Sequence, residues 1–385
     1  MLAVLAPGQG SQKPGFLTAW LDLPGTEARL RWWSALTGLD LLALGTTAGA
    51  DEIRQTARTQ PLLVAAALVV AEQLPMYDAG LVAGHSVGEL AAASLAGVLT
   101  PESAVSLAAL RGREMAAACA LQPTGMAAVL GGDAEQVVAA IEATGLHPAN
   151  RNSAGQIVAA GPLDAIEKLS PALPAGARAR ALQVAGAFHT PYMAPAEQAL
   201  AAVAAGISTA DPTKILLSNL DGMAVTTGRE VLSRLVRQVT ASVRWDLCMQ
   251  TMAEIGVTAI VELAPAGTLA GLAKRAMAGV EIVTVNSPDD LPAARDLFAR
   301  HGVAPGVEPT PHFQVVVAGA AGTFEPADLP EGTEVRTGRV IGQVVTRQGP
   351  VEVTTHDSGV LIEWLAHHDD PVAPGQPLAR IGGRS

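Results

Sequence analysis

The chain has 385 residues, 49% of them apolar and 16% charged. That is enough for two or three domains with a sizeable core, and it excludes a disordered chain. A net charge of −11 argues against general nucleic-acid binding. No apolar run is long enough to span a bilayer, and Pro7-Gly8 breaks the opening strand too early for a signal peptide, so a cytoplasmic protein is expected. Two cysteines, Cys119 and Cys248, make neither a disulfide framework nor a metal cluster and read as buried free thiols.

From the start, Met1 to Ala6 reads as a short buried strand. Thr59-Gln60-Pro61 opens a helix that stops before Pro75, with Pro61 suited to a first turn. Leu81-Val82-Ala83 is a strand that turns through Gly84-His85-Ser86-Val87-Gly88 into an alanine-rich helix. The G-x-S-x-G pattern is that of a nucleophile elbow. Its glycines let the backbone turn, the serine hydroxyl projects from the tip, and the first amides of the helix face any negative charge that forms beside it. Thr100-Pro101 caps a further helix that ends near Ala120. This alternation implies an α/β fold with a largely parallel sheet.

Residues 123–186 have a different order: a strand at Met126–Leu130, a helix at Ala134–Ala143, a strand at Gln156–Gly161, a helix from Pro162, and a strand at Ala179–Val184. A β-α-β-α-β insert of ferredoxin-like type is expected. The larger domain, 1–122, resumes over 187–300 with Phe188-His189-Thr190, a strand at Ile215–Leu217, a helix at Glu230–Thr240 and a strand at Thr258–Leu263. His189 is a candidate base for Ser86. Residues 301–311 form a Pro/Gly-rich linker. Beyond it the texture is all-β, with strands at Gln314–Val317, Gly338–Val345, Val351–Thr354 and Gly359–Trp364, then a turn-rich close over Asp369–Leu378.

Four ordered segments carry a resemblance: Pro7-Gly8-Gln9-Gly10-Ser11-Gln12, Gly84-His85-Ser86-Val87-Gly88-Glu89, Leu110-Arg111-Gly112 lying 25 residues past the serine, and Gly186-Ala187-Phe188-His189. Asn150-Arg151-Asn152-Ser153-Ala154-Gly155-Gln156 and Val243-Arg244-Trp245 support it. Over residues 1 to about 285 the chain resembles the malonyl-CoA:acyl-carrier-protein acyltransferases and the acyltransferase domains of polyketide synthases. The resemblance implies a hydrolase-like parallel-sheet core and a ping-pong transfer of malonyl from malonyl-CoA, through a Ser86 ester, to the phosphopantetheine thiol of acyl carrier protein. It implies that His189 is oriented by the backbone carbonyl of Gln238, and that the N–H groups of Gln9 and Val87 form the oxyanion hole. Such donors are typically worth about 3–4 kcal/mol each. It also puts Arg111 on the substrate carboxylate. A guanidinium binds a carboxylate through two parallel hydrogen bonds, and a buried arginine without an acid partner is costly, so the substrate is expected to bring the charge. The Phe188-His189 pair resembles the malonyl-selective branch. No metal or redox cofactor is implied, and neither nucleic acid nor membrane is an expected partner. The family's Gly-Pro-Gly after the strand near 263 is Ala264-Pro265-Ala266 here.

Residues 312–385 resemble a biotinyl/lipoyl-type β domain through Ser358–Leu365 and Asp370–Leu378. Such domains carry their cofactor on a lysine, which counting places near Gln348. The last lysine of the chain is Lys274, so neither biotin nor lipoate is expected. Other readings stay open. A serine hydrolase or thioesterase could use the same elbow. A polyketide-pathway enzyme or a malonate-decarboxylase acyltransferase subunit would share the motifs. A non-catalytic scaffold could be built around the β domain. His85 reads as structural or catalytic. His367-His368-Asp369-Asp370 reads as a solvated loop or a metal site. Arg234, Arg237, Arg244, Lys274 and Arg275 read as a carrier-protein patch or a solvated face.

Overall fold

The computed structural model describes residues 1–302, 313–355 and 358–382. The chain divides into two compact units, Met1–Val303 and Ala304–Ser385. The expected linker lies almost wholly outside the described residues; its first residue, His301, is still helical.

The first unit begins with strand β1 (Leu2–Ala6), followed by helices α1 (Thr26–Thr37), α2 (Leu41–Thr46), α3 (Ala50–Ile53) and α4 (Thr56–Ala71). Strand β2 (Leu81–Gly84) leads into α5 (Gly88–Leu95) and α6 (Pro101–Cys119). The insert holds β3 (Thr124–Leu130), α7 (Ala134–Ala143), β4 (His147–Ser153), β5 (Gln156–Pro162), α8 (Leu163–Ala172) and β6 (Arg178–Ala181). Then come α9 (Ala194–Ala204), β7 (Ile215–Leu216), α10 (Gly228–Arg237), α11 (Trp245–Glu254), β8 (Ala259–Glu262), α12 (Thr268–Ala276), β9 (Glu281–Thr284) and α13 (Leu291–His301).

The main sheet runs β7-β2-β1-β8-β9, and every neighbouring pair is parallel. All five residues of β1 are buried. Leu2, Val4 and Ala6 pack into one core and Ala3 and Leu5 into another, as alternation on a doubly covered sheet requires. The chain leaves β1 to one side through β2 and to the other through β8 and β9. The C-terminal ends of β1, β2 and β8 therefore flank the reversal point, where open parallel sheets bind ligands.

Helix α4 starts at Thr56, ahead of the Thr59-Gln60-Pro61 opening that the sequence suggested, so Pro61 is not in the first turn. The proline falls in the second turn and deprives a single carbonyl of its partner, while the Arg58 and Thr59 amides both donate to Gln55 O at 2.8 Å and hold the first turn. Fourteen of its sixteen residues are buried, as suits a helix apolar all round. Helix α6 crosses this first turn closely: a Cβ on Gly112 would stand 2.7 Å from Thr56 O. The N-cap of α6 is Thr100, whose Oγ1 accepts the Ser103 amide at 3.1 Å.

The insert is a four-stranded antiparallel sheet in the order β4-β5-β3-β6, with connectivity β-α-β-β-α-β. The expected five-element order lacked β4. The run His-Pro-Ala-Asn-Arg-Asn-Ser has no apolar alternation, and pairing with β5 makes it a strand. The free edge of β4 is covered by the larger domain. Asn150 bridges Val243 in parallel; the Arg151 amide donates to Val243 O and the Val243 amide to Ala149 O, both at 2.9 Å.

The second unit consists of β10 (Phe313–Val317), β11 (Gly322–Pro326), β12 (Glu334–Val335), β13 (Val340–Thr346), β14 (Gly349–Thr354), β15 (Gly359–Trp364), β16 (Pro371–Val372) and β17 (Pro377–Gly382). They form two antiparallel sheets, β10-β17-β15-β12 and β14-β13-β11-β16, around Phe324, Ile341, Val344, Leu361, Leu378 and Ile381. The turn-rich close therefore ends in an interior strand. Pro377 is tolerated there because it stands first in β17. His367 and Asp370 share a turn in which the His367 amide donates to Asp370 Oδ2 at 2.7 Å. Among the described residues no group of His, Cys, Asp and Glu could hold a metal ion, and no helix is long and apolar enough to cross a membrane.

Candidate active site

The loop after β1 and the corner between β2 and α5 meet at the end of the main sheet. Ser86 sits on that corner with φ of 53°, in the left-handed region that L-residues rarely adopt. The two flanking glycines are required by contact. A Cβ on Gly84 would fall 2.1 Å from the Gly88 carbonyl, and one on Gly88 would fall 2.3 Å from Ala6 O. Gly8 is as confined, with His85 O 2.7 Å from its would-be Cβ. The strand, the helix and the β1 loop can interlock only where side chains are missing.

His189 lies on the segment that re-enters the large unit after the insert and also has a positive φ, 61°. Its amide donates to Val239 O at 3.1 Å. Nε2 lies 2.8 Å from Ser86 Oγ, and Nδ1 lies 2.8 Å from the backbone carbonyl of Gln238. A carbonyl can only accept, so Nδ1 carries the proton and Nε2 is left free to accept from the serine hydroxyl. Gln238 is the C-cap of α10, where carbonyls lack helical partners, which is why this one is available. Burial, reinforced by the positive charge of Arg111, pushes the His189 imidazole down to about 3, so it is neutral at working pH.

Arg111 is 3% exposed on α6. Nη1 donates to Gln60 Oε1 at 2.7 Å, Nη2 donates to Gln238 Oε1 at 2.9 Å, and Nη2 stands 3.4 Å from Ser86 Oγ. Its Nε is buried and unpartnered. No carboxylate lies within ion-pair distance of it among the described residues. Burial draws its pKa down to about 10, and the charge of Glu89 opposes that shift.

Gln9 and Val87 line the same cleft as Ser86, Arg111, Phe188 and His189, a cavity of about 810 Å³. Among the described residues neither amide donates to a protein acceptor. Asn150 and Asn152 of β4 also line it, as do Arg54 and Arg180 and the first turns of α12. His85 also lines the cleft, but its contacts are elsewhere: Nε2 is 2.8 Å from Asn152 Oδ1, and the ring meets Trp245 edge-on at 5.7 Å.

Three side chains that sequence reasoning had not singled out form a buried polar floor. Asn219 accepts the Ser86 amide on Oδ1 at 2.8 Å and donates from Nδ2 to Gly84 O at 2.8 Å. Glu89 accepts the Asn219 amide on Oε1 at 3.1 Å and accepts from Gln238 Nε2 on Oε2. Gln60 props Arg111 from α4. Glu89 ends the elbow segment that carries the family resemblance; for Gln60 and Asn219 the signal is a polar residue inside an otherwise apolar buried stretch, and it names no partner. Of the residues read as a basic patch, Arg234 is engaged by Asp221 and Glu230, and Arg244 by Asp246. Cys248 is buried and Cys119 only partly so; both are free, and burial pushes both thiols up.

Comparison with known proteins places this arrangement. The acyl transferase domain family matches residues 5–288. The malonyl CoA-acyl carrier protein transacylase of Mycobacterium tuberculosis is 57% identical over 296 residues, covering 76% of this chain and 98% of its own. That of Escherichia coli is 34% identical over 305 residues, covering 77% and 99%. The crystal structure of MCAT from Mycobacterium tuberculosis aligns with a TM-score of 0.74 at 55% identity, covering 76% of this chain and 99% of that one. A malonyl-transacylase in complex with a type II PKS acyl-carrier protein aligns at 0.73 and 33%, covering 77% and 99%. The family match ends before the second unit begins. With its elbow serine, carbonyl-held histidine and buried arginine in one cleft, residues 5–288 make this chain a member of the acyl transferase domain family, on the branch of the malonyl CoA-acyl carrier protein transacylases.

Proposed function

We propose that the chain carries malonyl from malonyl-CoA to the phosphopantetheine thiol of acyl carrier protein through an ester on Ser86, supplying extender units for fatty-acid synthesis. The observation that carries this reading is Arg111, a buried guanidinium with no carboxylate within ion-pair distance among the described residues, its Nη2 3.4 Å from Ser86 Oγ. It is a site for a carboxylate that the protein itself does not supply.

Ser86 Oγ attacks the thioester carbonyl while His189 Nε2 takes its proton. The Gln238 carbonyl on Nδ1–H holds the ring in the required tautomer and stabilises the imidazolium as it forms. The oxyanion is stabilised by the amides of Gln9 and Val87. Collapse expels CoA as its thiol, protonated by His189, and leaves malonyl on Ser86. The carrier thiol then gives its proton to His189, attacks the ester and restores the serine. A methyl branch is disfavoured beside Phe188, by about 1–3 kcal/mol.

In the same reading the insert is ferredoxin-like, which its β4-β5-β3-β6 order supports. We assign residues 1–122 and 187–300 to the acyltransferase core and 123–186 to the insert. The second unit is biotinyl/lipoyl-like; two four-stranded antiparallel sheets support this. Gln348 sits at the β13–β14 turn, where its amide donates to Thr346 Oγ1 at 3.1 Å. A glutamine there cannot take biotin or lipoate in amide linkage as a lysine would.

Intact-protein mass after malonyl-CoA, for wild type and Ser86→Ala, followed by pantetheinylated carrier protein, tests the proposal. A malonyl adduct on wild type alone, handed to the carrier, is the expected result. An adduct that drains to free malonate without the carrier would make the enzyme a hydrolase.

A further inference from the structure

Gln238 serves the site twice. Its backbone carbonyl holds His189, and its side-chain Oε1 holds Arg111 Nη2 at 2.9 Å. The side-chain amide has one permissible orientation. On its Nε2 side stand Ser86 O at 3.0 Å, Asn219 Oδ1 at 3.2 Å and Glu89 Oε2, all acceptors. On its Oε1 side stands a guanidinium, which only donates. The strongest of the three acceptors is the Glu89 carboxylate, 4% exposed on the first turn of α5. Its other oxygen is occupied by the Asn219 amide at 3.1 Å. Both oxygens therefore face donors, and an amide in place of the carboxylate would set an NH₂ group against one of them. Nothing about Glu89 reaches the cleft directly, and it does not line it.

We propose that Glu89 is a positioning residue for acyl-group selection: it fixes the Gln238 amide so that Oε1 faces Arg111, and so aims the guanidinium fork at the place of the substrate carboxylate. The inference rests on the reading of Arg111 as the carboxylate-binding residue. Glu89 acts through Gln238 and touches neither substrate nor the reacting atoms. Its removal should therefore weaken discrimination between malonyl and acetyl groups more than it weakens acylation itself. A carboxylate that merely stabilised the core would lower the amount of folded enzyme and leave discrimination unchanged.

The test is the ratio of acylation rates with malonyl-CoA and acetyl-CoA, read by intact mass on folded full-length enzyme above pH 7, where Glu89 is a carboxylate. Wild type is compared with Glu89→Gln, Gln238→Met, which keeps the main-chain carbonyl, the double variant, and Arg111→Ala. Glu89→Gln is expected to lower the malonyl-to-acetyl ratio about tenfold, the worth of one charge-assisted hydrogen bond. It is expected to add nothing in the Gln238→Met background, because both act on one path. An unchanged ratio in Glu89→Gln, or a full further drop in the double variant, overturns the proposal. An unchanged ratio in Arg111→Ala overturns the carboxylate-binding reading instead. Should Glu89→Gln not fold, Glu89→Asp takes its place: withdrawing both acceptors by one methylene should lower the ratio in the same direction, and an unchanged ratio there is equally fatal.

Discussion

Ser86 Oγ and His189 Nε2 are 2.8 Å apart, and both residues hold positive φ angles, 53° and 61°. The proposed nucleophile and base are thus each mounted on a backbone corner that the surrounding packing must enforce. The corner at Ser86 depends on Gly84 and Gly88. Gly88→Ala would press a methyl to 2.3 Å from Ala6 O and 2.7 Å from Pro7 O, with no side chain to yield. We expect a stability loss of about 1–3 kcal/mol and a larger fall in acylation rate, because the displaced loop carries Gln9. Thermal melting alongside malonyl-CoA kinetics checks this; a variant that loses stability yet acylates at the wild-type rate would contradict it.

Arg111→Ala is expected to slow malonyl transfer by about 2–5 kcal/mol, the cost of leaving a charge unpaired in a buried site. Acetyl transfer, which offers no carboxylate, should change far less. Equal losses with both thioesters would assign Arg111 to Ser86 itself, as the 3.4 Å contact with Oγ would then suggest.

The pH response has two opposing parts. His189 lies at about 3 in the folded protein against an ordinary 6.5. The unfolded chain therefore binds the extra proton first, and this group makes stability rise with pH from 3 to 6.5. Glu89 is lifted by burial to about 7 from 4.5, so the folded protein holds its proton longer and this group makes stability fall as pH rises from 4.5 to 7. Between 4.5 and 6.5 the two offset each other. Removing the Glu89 contribution with Glu89→Gln should leave a melting temperature that climbs more steeply with pH over that window than in wild type. For catalysis, the acidic limb of kcat/KM should lie well below 6.5; a limb at 6.5 would mean that His189 is more solvated than its surroundings indicate.

A chain ending at residue 302 should still be acylated by malonyl-CoA at a rate within a few-fold of the full chain. The two units are separately compact, and relatives of about 300 residues align over nearly their whole length with the first. Loss of acylation on truncation, with the melting profile of the remaining unit intact, would give the β unit a direct part in the reaction.

Local chemistry made the elbow and the re-entry histidine legible, because each stands in a short run whose glycines or caps announce a corner. The parallel sheet was legible for the same reason, since Leu2–Ala6 and Leu81–Gly84 are short apolar runs next to turn residues. Arg111, in the middle of α6, was legible only through the spacing of the motifs that carry the family resemblance. What escaped was set by distant partners. Asn219 reaches the Ser86 amide across 133 positions, and Gln60 reaches Arg111 across 51, and no spacing rule links them. Strand β4 escaped because its backbone pairs with β5 while Asn150 and Asn152 line the cleft, so no apolar alternation marks it. The Gln238 carbonyl came from family resemblance alone. Its side chain, which matters equally here, was not seen.

The seam where β4 meets Val243 has a consequence for how this enzyme can be taken apart. The insert enters and leaves the core as a continuous excursion, which invites exchange with the corresponding piece of a relative. Yet two backbone hydrogen bonds and a Ser242 Oγ donation to Pro148 O at 2.6 Å stitch its edge to a segment nearly 100 positions later. The insert and the core should therefore melt as one cooperative unit, with amide exchange at Arg151 and Val243 as slow as in the central sheet. A chimaera that transplants residues 123–186 without the Ser242–Arg244 strip would carry a raw strand edge into the mouth of its own active site.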